Sequence, residues 1–240
     1  MRCLIVNGDD FGASRGVNRG ILDAHRRGIL TSASLMVNMP GSEEAALLAG
    51  GAPELSVGIH LNLTNEDGPP VVDLDNSRAC RHELDGQIER FRELLGRLPT
   101  HVDSHHNVHR RPLLRPLFVD LAGRYGLPLR EHSAVRYFSS FYGQWGGETH
   151  LEQLSPETLQ RMLREEIGDG VTELACHPGF LDPGFQSVYA IEREAELRTL
   201  CDPTLRQTLR ELGFRLIGYR ELPALTGAPT ALGPEPCRPS

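Results

Sequence analysis

The chain has 240 residues, 39% of them hydrophobic and 24% charged, with a net charge of −7 at pH 7. That balance suits a globular protein with length enough for a sizeable core, and the negative charge argues against nucleic acid or an anionic membrane as the main partner. No apolar run approaches the roughly 20 residues of a membrane span, and the N-terminus runs straight into a strand without a signal peptide, so a cytoplasmic location is expected.

In chain order, short strand-like runs alternate with helical periodicity. Strands are expected at residues 2–7, 31–37, 55–61, 100–103, 127–130, 172–177 and 214–218. Residues 14–27 place Val17, Ile21 and Ala24 on one helical stripe, and residues 83–98 do the same with Leu84, Ile88, Phe91, Leu95 and Leu98. Ser155-Pro156 and Asp202-Pro203 each read as an N-cap followed by proline at the first helical position. Two longer stretches read as irregular: 62–79, and 133–154 with Tyr137, Phe138, Phe141, Tyr142 and Trp145. Residues 226–240, rich in Pro and Gly, read as a loose tail behind a domain spanning 1–225. Cys3, Cys80, Cys176, Cys201 and Cys237 are scattered, odd in number and without CxxC spacing, as expected of reduced, mostly buried thiols.

Seven β-then-α units with no break in composition predict one α/β domain on parallel strands. Right-handed crossovers would close it into a distorted (β/α) barrel of seven parallel strands, or leave an open doubly wound sheet. Neither GxGxxG nor GxxxxGK[ST] occurs, so nothing points to a dinucleotide or a P-loop.

In such folds ligands bind where strands end, and here the strand ends are rich in ionisable groups. Asp9 and Asp10 close the first strand, at the end of Cys3-Leu4-Ile5-Val6-Asn7-Gly8. Neighbouring carboxylates about 4 Å apart repel by roughly 1 kcal/mol in water and about 4 kcal/mol at an effective dielectric near 20. Such a pair at the mouth of a buried strand suits a divalent cation, a shared proton or a set of donors; the plainer reading is a turn whose Asp residues cap the next helix. His60 ends the third strand, Asp103, His105, His106 and His109 follow the fourth, Arg130 ends the fifth and His177 the sixth. Any one of these histidines alone would read as a hydrogen-bonded core residue. Five strands delivering ionisable groups to one rim predict an active site, and Asp with two His is a set that holds a divalent metal while leaving positions open.

Four motifs then carry a resemblance: Asn7-Gly8-Asp9-Asp10-Phe11-Gly12, Gly58-Ile59-His60-Leu61-Asn62-Leu63-Thr64, His101-Val102-Asp103-Ser104-His105-His106-Asn107-Val108-His109 and Cys176-His177-Pro178-Gly179-Phe180. In this order they resemble the YdjC-like carbohydrate deacetylases, which include chitooligosaccharide deacetylases. Weaker similarity at residues 31–38, Leu129-Arg130 and Phe141-Tyr142-Gly143 extends it over most of 1–220. The resemblance implies a distorted barrel of the polysaccharide-deacetylase type, a homodimer, and removal of acetyl groups from an N-acetylated sugar or oligosaccharide. It implies metal ligands at Asp10, His60 and His105, a catalytic base at Asp9, a general acid at His177, and Arg130 orienting the base. The expected cofactor is one divalent ion, Zn²⁺ or Mg²⁺ first, with Mn²⁺, Co²⁺ or Ni²⁺ as alternatives. Asp103 would orient a ligating histidine. His109 and Asn107 would face the sugar, and Phe141, Tyr142 and Trp145 would form a lid stacking on it, while His106 would point away from His105. Asn107 departs from the family's His-His-His-Val-His run. Two other readings fit the same residues: a metal hydrolase of a phosphoester or non-sugar amide, and a sugar-binding protein without catalysis.

Overall fold

A computed structural model of the chain describes residues 1–65 and 69–226; the expected tail, apart from Thr226, lies outside them. The elements run β1 (Arg2–Phe11), α1 (Arg15–Arg27), β2 (Ser32–Leu35), α2 (Ser42–Gly50), β3 (Ser56–Leu61), α3 (Ser77–Leu95), β4 (Val102–Ser104) and α4 (Arg115–Tyr125). They continue with β5 (Arg136–Phe138), β6 (Gln144–Trp145), β7 (Glu148–Thr149), α5 (Pro156–Glu165), β8 (Gly170–Cys176), α6 (Ile191–Leu200), α7 (Pro203–Glu211), β9 (Phe214–Leu216) and α8 (Leu222–Thr226).

Among the described residues one seven-stranded sheet runs β4-β3-β2-β1-β8-β5, with β9 also on β1, and every pairing in it is parallel. β1 is the axis: it is buried from Cys3 to Phe11 and pairs with β8 along Arg2–Gly8. Its other edge is shared, by β9 at Arg2–Leu4 and by β2 from Asn7 onward. Strands covered on both faces read as unbroken apolar runs, which is why this one was plain in the sequence. Helices cover the sheet, and one apolar cluster reaches from Leu4 to Phe214.

The strand count matches expectation, but the fifth strand is elsewhere. Residues 127–130 give only a bridge, Leu129 to Val102, and Arg136–Phe138 pairs with β8 instead. Pro128 has no N–H to donate, and Glu131 turns the chain away with φ 62°. The single segment from Leu129 to Phe138 thereby touches both ends of the curled sheet and draws it into a distorted (β/α) barrel. The stretch 133–154 also holds a hairpin, β6–β7, whose Gly146 and Gly147 have φ of 63° and 81°. Two consecutive left-handed residues make the turn that matches strand twist.

Ser155 and Asp202 cap α5 and α7 as expected, accepting from the N–H groups of Thr158 and Thr204 at 3.2 and 2.8 Å. α3 begins earlier than its apolar stripe, because Asn76 accepts from Ala79 N–H, and stops at left-handed Gly96. Cys3, Cys80 and Cys176 are buried, Cys201 is half-buried, and all four are free thiols; Cys237 lies outside the described residues. No helix among the described residues is long and apolar enough to cross a membrane.

Candidate active site

The two aspartates sit in an irregularity of β1. Its register against β2 shifts between Gly8 and Phe11, and Asp10 has φ 66°. A bulge re-aims side chains, and Asp tolerates the left-handed region better than most residues. A Cβ on the neighbouring Gly12 (φ 95°) would meet Met36 O at 2.7 Å, so only glycine completes the turn. The two carboxylates consequently look into different surroundings.

Asp9 is 3% exposed and clasped by Arg130, whose Nη1 donates to Oδ2 and Nη2 to Oδ1, both at 2.8 Å. Asn7 Nδ2 (2.8 Å) and Ser34 Oγ (3.3 Å) also donate to Oδ1. Burial pushes the Asp9 carboxyl up, but the guanidinium outweighs it and holds the group below the usual carboxylate range. Arg130, 2% exposed, is shared: Nη2 lies 2.9 Å from Asp103 Oδ2, and Nε and Nη2 reach Glu173 Oε1 at 3.0 and 2.5 Å. Tyr219 donates to the other Glu173 oxygen at 2.7 Å, and Tyr137 lies under the guanidinium at 4.8 Å.

Asp10 Oδ1 faces two imidazoles, His60 Nε2 at 3.2 Å and His105 Nδ1 at 3.1 Å. Oδ2 accepts from Arg193 Nη2 at 2.7 Å. Burial is again outweighed, here by Arg193 and the two histidines, and the carboxyl lies well below its usual range. His60 Nδ1 is 2.7 Å from Asp103 Oδ1, its register partner across β3 and β4. His60 is raised to about 10: burial opposes its charge, and Asp103 and Asp10 more than compensate.

Asp10, His60 and His105 each offer a donor atom within 4.8 Å of the others, and all three residues are buried. The chemistry fits a divalent cation. Asp103 accepts the Nδ1–H of His60, which would leave Nε2 to ligate a cation held beside Asp10, the usual way a ligating imidazole is fixed. Asp9, His60 and Asp103 also cluster within that distance. Arg130 already ion-pairs with both carboxylates there, so that group fits a cation less well.

His177 follows directly after β8. Its Nε2 is 4.0 Å from Asp9 Oδ2, its Nδ1 3.8 Å from Glu196 Oε1, and its backbone N–H donates to Glu196 Oε2. Burial lowers its basicity, but Glu196, then Asp9 and Asp10, raise it above the ordinary histidine value. Glu196 is fully buried and also accepts from Tyr189 Oη at 2.5 Å.

These groups open on a cavity of about 440 Å³ lined by Asp9, Asp10, His60, His105, Phe141, Tyr142, His177 and Arg193, with Asn107 on its wall. Tyr142 stacks on Tyr189 at 4.6 Å. Two expected sugar contacts lie elsewhere. His109 is fully buried behind the wall, bonded to Ser104 Oγ (2.6 Å) and Glu131 (3.1 Å), because the chain folds into a tight turn at 105–110. Trp145 lies on the hairpin outside the cavity, stacked on His150 at 3.7 Å. His106 goes the other way. Left-handed residues at 106 and 107 (φ 53° and 51°) fold its ring back to 3.8 Å from that of His105, so it lines the cavity instead of pointing away.

The sequence reading missed Arg193, Glu196, Tyr189 and Glu173. Glu173, an acid inside the apolar run of β8, was a legible signal for a buried cation partner. Arg193 and Glu196 sit in Ile191-Glu192-Arg193-Glu194-Ala195-Glu196, which reads as a solvated helix face and carries no such signal.

The family model described as YdjC-like protein matches residues 3–211. A carbohydrate deacetylase of Geobacillus stearothermophilus is 42% identical over 92% of this chain and 98% of its own. Among solved structures, a candidate cellobiose-phosphate cleavage protein of Enterococcus faecalis is 29% identical, with a TM-score of 0.79 over 92% of this chain and 98% of that one. The catalytic domain of a peptidoglycan N-acetylglucosamine deacetylase of Eubacterium rectale shares the fold, with a TM-score of 0.58 at 11% identity over 90% and 88% of the two chains.

Proposed function

The chain belongs to the YdjC-like family, and from that premise we propose that it is a metal-dependent carbohydrate N-deacetylase, hydrolysing the acetamide of an N-acetylated mono- or oligosaccharide to acetate and a free amine. One observation carries this reading: three buried donors on Asp10, His60 and His105 converge beside an ionised Asp9 and a basic His177 on one cavity.

An acetamide is a poor electrophile, and a sugar amine does not leave as an anion. Asp10, His60 and His105 would hold the cation, which when bound polarises the acetyl carbonyl as a Lewis acid and acidifies water. Asp9, kept ionised and aimed by the two-pronged Arg130 contact, takes the proton of the attacking water. His177 gives a proton to the departing nitrogen as the C–N bond breaks. Glu196 keeps that proton on His177 until it is needed. Tyr142 and Phe141 exclude water and offer apolar faces to the ring. The phosphoester reading is less supported, because Arg110 on the cavity wall is already engaged by Glu131 at 2.6 and 3.1 Å. A homodimer and a cytoplasmic location remain part of the proposal.

The test is acetate release from a panel of N-acetylated mono- and disaccharides, on protein stripped by a chelator and reloaded with single metals. Release that disappears on stripping and returns on reloading is expected. Metal-loaded protein that frees no acetate from any of them would sink the reading.

A further inference from the structure

Arg193 reaches the site from α6, 183 residues beyond Asp10. It is 4% exposed, and its approach is built into the packing. A Cβ on Gly179 would lie 3.2 Å from Arg193 Cδ, and a Cβ on Gly20 of α1 would meet Gly179 Cα at 2.5 Å. Two glycines in series therefore clear the corridor along which the side chain runs. The rings of Phe185 and Tyr189 flank its guanidinium at 5.8 and 5.9 Å. At the end of this corridor the guanidinium takes Asp10 Oδ2, while Oδ1 remains turned to His60 and His105.

This division has a chemical consequence. A carboxylate free at both oxygens can ligate through one or both, and a catalytic metal must keep positions open for water and substrate. A guanidinium does not lose its proton, so Oδ2 stays engaged at any working pH. Its charge also repels a cation held next door, so the arrangement sacrifices metal affinity. We propose that Arg193 is a positioning residue that restricts Asp10 to one-oxygen ligation, trading affinity for an open coordination position. The inference rests on the metal-site part of the reading above, not on the identity of the sugar.

The test compares wild type with Arg193→Met by titrating stripped protein with Zn²⁺ against a chromophoric chelator, alongside kcat and KM on the best acetylated sugar. Affinity and turnover should move in opposite directions. Loss of the repelling charge and release of Oδ2 tighten Zn²⁺ binding, by about tenfold. Crowding of the open position lowers kcat by about 10–100-fold while KM stays within about twofold. Arg193→Lys, which keeps the charge and a donor, should restore most of both. Loosened packing would weaken metal binding and turnover together, and a substrate contact would raise KM with Zn²⁺ affinity unchanged; either result overturns the proposal. Should Arg193→Met fail to fold, Arg193→Gln carries the same pair of measurements. The Zn²⁺ titration involves no sugar, so an affinity gain without acetate release would keep this inference and reject the deacetylase reading.

Discussion

Asp9 and Asp10 are consecutive, chemically identical and buried to nearly the same degree, yet they live in opposite halves of the site. Asp9 has both oxygens closed by one guanidinium, in a pocket that also holds Asp103 and Glu173. Asp10 has one oxygen closed by a different guanidinium and the other turned to two imidazoles. The backbone makes the difference: a bulge and one left-handed residue send two neighbouring side chains to two different partners. Role follows surroundings, not residue type, as for other carboxylate pairs whose environments drive them apart.

The comparison breaks most visibly from the Asp10 side. Asp10→Ala or His105→Ala removes a donor from the cation cluster, so metal content after reloading should fall to background. Turnover should drop by ~10⁴-fold or more, the several kcal/mol that Lewis-acid assistance contributes. Asp9→Asn should do something different: metal content stays at the wild-type level while kcat falls by about 10²–10⁴-fold, the usual worth of a positioned base. An Asp9→Asn protein that loses its metal would merge the two halves and end the distinction.

Arg130→Met tests what holds the Asp9 half together. It leaves Asp9, Asp103 and Glu173 buried without their shared cation, and breaking such a cluster costs roughly 3–5 kcal/mol. Urea unfolding at pH 7 should show the loss. The pH dependence has a definite sign. In the wild type, Asp9 and Asp103 titrate below the ordinary 3.8, so their contribution is present above that value and is lost as pH falls through their lowered folded values. In the variant they bind protons more readily, and the stability gap should narrow as the pH is taken down toward 4. A gap that stays constant would mean that Arg130 contributes by packing alone.

How much of this was legible beforehand follows from how local each signal is. The apolar run of β1, the Ser-Pro and Asp-Pro caps and the carboxylate pair are local, and the parallel frame follows from such signals. Asp9, Asp10, His60, His105 and His177 were legible as ionisable groups closing strand-like runs, whereas Arg130 follows an isolated bridge and not the strand expected there. The fifth strand was misplaced because Pro128 and Glu131 spoil an apolar run that otherwise reads as a strand, while Gly146-Gly147 marks a hairpin that aromatic content obscured. His106 and His109 lie where the sequence did not place them because the left-handed pair at 106 and 107 is invisible in composition: it folds His106 back over His105, and His109 is held by Ser104 and Glu131. Arg193 and Glu196 were out of reach, since Asp10 lies 183 residues from Arg193 in sequence and their own helix reads as solvated.

Glu196 gives the smallest effect and the one that joins the halves, because it serves the histidine standing beside Asp9. Its Oε1 is 3.8 Å from His177 Nδ1, too far for a hydrogen bond, so its action on the ring is charge across a short gap. Its other oxygen anchors the His177 backbone, and Tyr189 Oη fixes the carboxylate. Glu196→Gln keeps the shape and an acceptor for the backbone but removes the charge. His177 is raised above 6.5 mainly through Glu196, so as general acid it should keep its proton past neutrality, and the alkaline limb of the kcat–pH profile should lie above that value. In Glu196→Gln the limb should move down by about one pH unit, with a few-fold loss of kcat near pH 7 and no change in metal content. A limb that stays in place would remove Glu196 from the acid's surroundings and leave His177 to be tuned by Asp9 and Asp10.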